Sequence, residues 1–271
     1  MATTFDEHER QRWAGRAPAY QRSFAALCAY VAPALLDAAG VGADGAGGRL
    51  LDVGTGPGTV AALARARGAD VAAVDAEPSM VALARTNAPD VDVRHSVLPD
   101  LPFPDGSFDA VVANFVLNHV GDPGATMAAL RLVTAPGGRI AITVWPHPPP
   151  PLQQLWQDVM AAAGLPPPAI PRVSPQLDFA RTAAGLTGLL AGAGLTSVSC
   201  RQVSWRYATD PQVLWDGAAS GIGALGVAMS GLPTDRVAEV RQHHDRLAAE
   251  YLTPDGFLAI PTTALLAAAT R

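Results

Sequence analysis

The chain has 271 residues, 49% hydrophobic and 16% charged, with a formal net charge of −5. That length suits one large domain or one domain with a substantial cap, and the apolar share supplies a sizeable core. The acidic balance argues against a dedicated nucleic-acid surface, which needs a clustered basic excess, and no apolar run reaches the roughly 18 residues that span a bilayer.

Residues 5–40 read as largely helical. In RSFAALCAYVAPALLDAAG the apolar Phe24, Leu27, Cys28, Val31 and Leu35 recur at helical spacing, and Pro33 interrupts the run. The opening MATTFDEHERQRW is charged and mixed in sign, unlike a secretory leader, so the expectation is a cytoplasmic protein. From Gly48 strands and helices alternate: RLLDV, TVAALARARG, DVAAVD, PSMVALARTNA, VDVRHSV, SFDAVVANFVL, ATMAALRLVTA and GGRIAITVW. Strands such as VAAVD lack polar alternation, as expected where helices cover both faces of a parallel sheet.

The alternation breaks after Trp145, where WPHPPPPLQQ holds five prolines between Pro146 and Pro151 and must leave the sheet. LQQLWQDVMAAAG reads as a helix, LTSVSCRQVSWRY as a sixth strand, and TDPQVLWDGAASGIGALGVAM and DRVAEVRQHHDRLAAEYL as two more helices. ALLAAAT reads equally as a last strand or a short helix. The expected fold is α/β, Rossmann-like and doubly wound, with a mostly parallel seven-stranded sheet and helical cap and lid insertions. Its parts would be an N-terminal helical cap (1–44), a cofactor-binding core (45–146), a proline-rich helical lid (147–194), a core strand (195–207), a second helical lid (208–256) and a final core strand (257–271).

The chemical signal concentrates in LLDVGTGPGT. Gly54, Gly56 and Gly58 let the backbone turn tightly and approach a ligand, since none has a Cβ. Asp75 closes the second strand about 20 residues on, where an acid can accept both hydrogens of a ribose diol. The dinucleotide fingerprint is G-x-G-x-x-G with a pyrophosphate at the helix start. Here the spacing is G-x-G-x-G, and Asp52 precedes it. A carboxylate there repels a pyrophosphate and suits an ammonium or sulfonium. The loop therefore favours S-adenosylmethionine over a nicotinamide dinucleotide; a purely structural glycine turn is the remaining reading.

LLDVGTGPGTVAALARARGADVAAVDAEPSM, LPFPDGSFDAVVANFVLNHVGDP and APGGRIAIT together resemble the motifs of class I S-adenosylmethionine-dependent methyltransferases, nearest the small-molecule branch of ubiquinone- and menaquinone-pathway enzymes. The likeness covers about residues 45–145. It implies that Asp52, Gly54, Thr55, Gly56 and Gly58 form the cradle of the methionine end. Asp75 would hold the ribose, Ala76 and Met80 would pack on adenine, Val97-Leu98 would meet its edge, and Asn114 would lie near the reacting methyl. Trp13, Arg16 and Tyr20 resemble an N-terminal flap over the cofactor. Where many relatives carry an Asp for the adenine amino group this chain has Val97, which leaves backbone groups around Leu98 to serve.

Methyl transfer needs alignment and exclusion of water more than a reactive side chain. His119, which follows the fourth strand, is the first candidate base, with Tyr20 as a second catalytic candidate; the competing reading is that each merely packs there. His147 in the proline turn and Trp145, Trp156 and Trp215 are expected to border a pocket for a small, partly apolar acceptor, in specialised metabolism. His243 and His244 read as decorating a solvated helix, and His95 as structural. Cys28 and Cys200 read as ordinary buried thiols, and no metal-ligand spacing occurs. The expected partners are the small-molecule acceptor alone, with no nucleic acid and no membrane, in a monomer or homodimer. Two rivals remain: a cyclase or rearrangement enzyme using the same cofactor and fold, and an NAD(P)-dependent oxidoreductase.

Overall fold

A computed structural model describes residues 3–42 and 48–271. The boundary expected between residues 44 and 45 lies outside the described residues. Four short helices open the chain: α1 (Thr4–Trp13), α2 (Ala17–Arg22), α3 (Ala25–Ala29) and α4 (Ala32–Ala38). Pro33 sits in the first turn of α4, where its missing N–H costs nothing, so the expected interruption is a break between two helices.

The core is β1 (Arg49–Val53), α5 (Thr59–Ala66), β2 (Asp70–Asp75), α6 (Pro78–Asn87), β3 (Asp92–His95), β4 (Phe108–Asn114), α7 (Pro123–Val133) and β5 (Thr134–Val144). A 3-10 turn, Val116–His119, follows β4. The later elements are α8 (Pro151–Ala162), α9 (Ala183–Gly192), β6 (Thr196–Thr209), α10 (Pro211–Ala219), α11 (Gly223–Met229), α12 (Thr234–Ala248) and β7 (Leu258–Thr270). The seven strands form one sheet in the order β3-β2-β1-β4-β5-β7-β6. Pairs among β1 to β5 are parallel, and β7 runs antiparallel to both neighbours. The doubly wound α/β expectation holds. The alanine-rich end is a strand because Ala267 and Ala269 must fit flush between the sheet's neighbours, where both are buried.

Helices cover the sheet on both faces. On one, Leu35, Leu36, Val60 and Ala64 pack over Leu50 and Val112; on the other, Leu130, Leu186 and Leu190 pack over Leu51, Ile140 and Leu265. Leu186 and Leu190 belong to α9, so α9 is a sheet helix and not part of the lid expected over 147–194. Its alanine- and glycine-rich sequence hid two leucines one turn apart on a buried face. The region 208–256 holds three helices rather than two, because the chain breaks at Ser220–Gly221, where Gly221 adopts φ +85°.

The β6–β7 hairpin is longer than the sheet it joins. β7 pairs with β5 only from Leu265 onward, yet stays paired with β6 back to Leu258. The overhang rises past the carboxyl end of β5 at Val144. Helix α8 packs on it and α10, α11 and α12 pack around α8, so that Trp205, Tyr207, Leu258 and Ile260 share one apolar cluster with Leu152, Leu214 and Leu225. Thus cap and lid share one apolar core at the carboxyl edge of the parallel strands, where open α/β sheets bind ligands.

Candidate active site

A cavity of about 480 Å³ opens at that edge, between the cap, the glycine loop and α8. Gly54, Gly56, Asp75, Ala76, Met80, Val97, Leu98 and Asn114 line one part, and Trp13, Tyr20, His119, Trp145 and Trp156 line the rest. The glycine loop takes its shape from two needs. Gly54, Gly56 and Gly58 all have left-handed φ, between +56° and +86°. A Cβ on Gly54 would also stand 2.5 Å from Val116 of the turn after β4. The Asp75 carboxylate holds the loop, accepting the Gly56 N–H at 2.8 Å and the Glu77 N–H at 2.9 Å. Burial raises the Asp75 pKa, and those two backbone bonds oppose the rise.

Six expected site residues lie off the cavity wall. Asp52 is 1% exposed beneath the loop, where it accepts the Thr55 hydroxyl at 2.6 Å while its Oδ1 has no partner. Burial pushes its pKa up to about 7; the Thr55 bond opposes this and the Asp75 charge adds to it. Thr55 is turned inward by that bond. A Cβ on Gly58 would stand 3.2 Å from the Ala84 backbone, so this glycine lets α5 seat close on α6. Arg16 is spent on carbonyls: Nε donates to Arg12 and the guanidinium reaches Ser220, clasping the cap to the α10–α11 turn. His147 is exposed at the rim, with its backbone N–H on Arg181 at 2.8 Å. Trp215 is buried inside the lid, under the Arg241 guanidinium and beside His244.

The cap supplies what surrounds His119. Its Nδ1 meets Glu9 Oε2 at 2.7 Å, and the Trp13 ring lies edge-on at 5.5 Å. Glu9 is 4% exposed and also pairs with Arg12. Burial raises the Glu9 pKa, but the hydrogen bond to His119 and the Arg12 guanidinium outweigh it, so the carboxyl is held below its usual range. Tyr20 touches Trp13 edge-on. Burial, with the Cys28 thiol and the Asp75 charge adding, keeps its phenol well above the usual range, so it acts as a neutral hydroxyl. Burial likewise pushes the half-buried Cys28 thiol up to about 11.

Glu9, Glu77 and Phe115 are among the lining residues that escaped the sequence reading. Glu9 had a signal: Phe5, Glu9 and Trp13 recur every four residues, so an acid sits on an apolar helical stripe. Glu77 ties the cap to β2 by accepting the Gly15 N–H at 3.1 Å. Phe115 adopts φ +62°, unusual for a bulky side chain, and stacks on Trp145 at 4.0 Å; nothing in NFVLNH marks it. His244 corrects a further expectation. It is fully buried and stacked on Trp156, with ring centroids 5.7 Å apart, because α12 packs face-down on α8.

Residues 51–142 match the family described as "Methyltransferase domain". Among curated relatives, the demethylmenaquinone methyltransferase of Renibacterium salmoninarum is 38% identical over 102 residues, covering 38% of this chain and 43% of that protein. Over residues 51–142 this chain is similar to methyltransferase domains. A ubiquinone biosynthesis O-methyltransferase of Xanthomonas oryzae pv. oryzae is 37% identical over 116 residues, 41% of this chain and 48% of its own length. The chain thus spans less than half the length of these curated relatives. The YcgJ protein of Bacillus subtilis shares the fold across 89% of this chain and 98% of its own, at a TM-score of 0.56 and 18% identity.

The cofactor of such a domain is S-adenosylmethionine, and the cradle fits it. Gly54 and Gly56, which carry no Cβ, bring bare backbone to the cavity wall. Asp75 offers a carboxylate at the cavity, while Met80, Val97 and Leu98 supply an apolar slot. Among the described residues no helix is long and apolar enough to cross a membrane, and no cluster fit to hold a metal is found.

Proposed function

We propose that the chain transfers a methyl group from S-adenosylmethionine to a small, partly apolar acceptor. The observation that carries this reading is the continuity of the cavity. It runs from the glycine loop and Asp75 to a wall of Phe24, Leu27, Trp145, Leu152 and Trp156, with His119 between. The cofactor supplies an activated methyl on a sulfonium. The chain's residues do the rest: Gly54, Gly56 and Asp75 grip, Asn114 fixes the floor, and the apolar wall excludes water and orients the acceptor. His119 takes the proton that the acceptor loses.

Asn114 is itself fixed. Its amide donates to the Cys28 carbonyl at 3.0 Å and its Oδ1 accepts the Thr143 hydroxyl at 2.6 Å. Asp52, Thr55 and Gly58 support the cradle from beneath. Trp145 and Trp156 are the acceptor contacts in this reading, and His147 and Trp215 are not.

Relatives named for demethylmenaquinone and for ubiquinone biosynthesis support a quinone-like acceptor. The alanine-, glycine- and proline-rich composition supports a place in specialised metabolism. An apolar, aromatic wall suits either setting. Calorimetry with S-adenosylhomocysteine is the first test, and no heat at millimolar ligand would end the proposal. Labelled methyl is the second. Label in a product supports transfer, whereas turnover without label supports a cyclase or rearrangement enzyme. Binding of NADH in place of S-adenosylhomocysteine would support an oxidoreductase.

A further inference from the structure

We propose that Glu9 is a positioning residue that sets the proton on His119, so that the N-terminal cap contributes half of the base. This rests on the methyl-transfer reading above. A neutral imidazole carries one N–H, and the nitrogen that keeps it is fixed by the partner of that nitrogen. Here the partner is an ionised carboxylate 2.7 Å from Nδ1, on a side chain 4% exposed. An anion accepts but cannot donate. The Nδ1 proton therefore stays in place, and Nε2 keeps the free lone pair on a ring that lines the cavity.

The geometry is supported on every side. Arg12 holds the other Glu9 oxygen, and Trp13 abuts the imidazole face-to-edge. One turn earlier Asp6 accepts the Gly121 N–H at 2.6 Å, pinning α1 beside the turn that bears His119. Gly121 has no room for a side chain, since a Cβ there would stand 1.9 Å from the Thr3 hydroxyl. Two acids one helical turn apart thus dock the cap onto the end of β4, and the second of them orders the base.

In the step this serves, the acceptor's X–H bond breaks and its proton moves to His119 Nε2. The electron pair left on X forms the new bond to the methyl carbon, and the sulfur of the cofactor keeps the pair of the broken C–S bond. The imidazolium that forms faces the Glu9 carboxylate, which is the charge it needs. Glu9 touches neither acceptor nor cofactor in this scheme; it acts through the ring.

Nitrogen-15 NMR of the imidazoles tests this without turnover, on the full chain saturated with S-adenosylhomocysteine at pH 8. The His119 signals are assigned by their loss in H119A. The expected wild-type spectrum has the proton on Nδ1, with the Nε2 resonance in the bare-nitrogen range. In E9Q, whose amide can donate as well as accept, the His119 signals should shift toward an Nε2-protonated population, while affinity for S-adenosylhomocysteine stays within threefold. A wild-type proton on Nε2, or an unchanged tautomer in E9Q, overturns the proposal. The wild-type spectrum decides by itself if E9Q does not fold. Absence of S-adenosylhomocysteine binding sinks the methyl-transfer reading instead, which keeps the two failures apart.

Discussion

At the scale of single residues, Asp52 makes a claim about acidity. Its carboxyl is buried with one oxygen unpaired, and its pKa rises from 3.8 to about 7. A carboxyl raised by folding favours the native state when protonated. Its contribution is complete below about pH 4 and is lost as the pH climbs through about 7, at about 1.4 kcal/mol per pKa unit. Asp52→Asn should therefore flatten the decline in stability between pH 4 and 7, as read by urea unfolding at several pH values. An unchanged slope would show that Asp52 is already satisfied. Gly56 makes a second claim. Its φ of +56° imposes on any residue with a Cβ a penalty of about 1–2 kcal/mol, although the nearest atom, on Tyr20, is 3.9 Å away. Gly56→Ala should lower stability by that amount and weaken S-adenosylhomocysteine binding, checked by denaturation and calorimetry together. Asp75→Ala should weaken binding more than tenfold, because it removes a cavity carboxylate and unties the Gly56 N–H at once; an unchanged dissociation constant would refute the role.

At the scale of elements, the lid holds a titratable group in its core. His244 on α12 lies between Trp156 of α8 and Trp215 of α10, facing Asp245 and Arg241. Burial lowers its pKa, against the opposing Asp245 bond. A histidine depressed by folding stabilises the native state above its unfolded value, near 6.5, and that contribution is lost as the pH falls below it. Tryptophan fluorescence should therefore report loosening of α8 and α12 as the pH falls below about 6.5, and His244→Phe should abolish the transition while keeping the stack. The repeat of β1 through β5 was readable because β1, β2, β4 and β5 are mostly apolar and helices alternate with the strands; β3 (DVRH) was marked by its place in that alternation. The lid was not. VRQHHDRLAAEY carries enough charge to read as solvated, and only the approach of α8 reveals that one face is dry. Likewise, α9 could not be told from the lid by its composition, since its two buried leucines, Leu186 and Leu190, acquire meaning only beside the sheet and α7.

At the scale of the molecule, the parts legible in the sequence were those the backbone demands locally: the glycine loop, the acid at the end of β2 and the alternation of strands and helices. Glu9, Phe115 and Glu77 stayed hidden because each gains its role from a segment distant in the chain. Saturating S-adenosylhomocysteine at one hundred times its dissociation constant should raise unfolding stability by about 2.7 kcal/mol, seen as a higher melting temperature. No shift would argue that the cradle is not formed in the folded chain.

The overhanging β6–β7 hairpin carries a rule of parity. Trp205, Tyr207 and Thr209 are buried, while Ser204, Arg206 and Ala208 between them face out. Excising one residue from each strand above Ala264 would turn the tryptophan and tyrosine to water and present an arginine to the underside of the lid. Excising two from each would restore the facing and merely lower the roof by one rung. The height of the chamber can therefore change only in even steps, and relatives built on this plan should differ in headroom by pairs of residues.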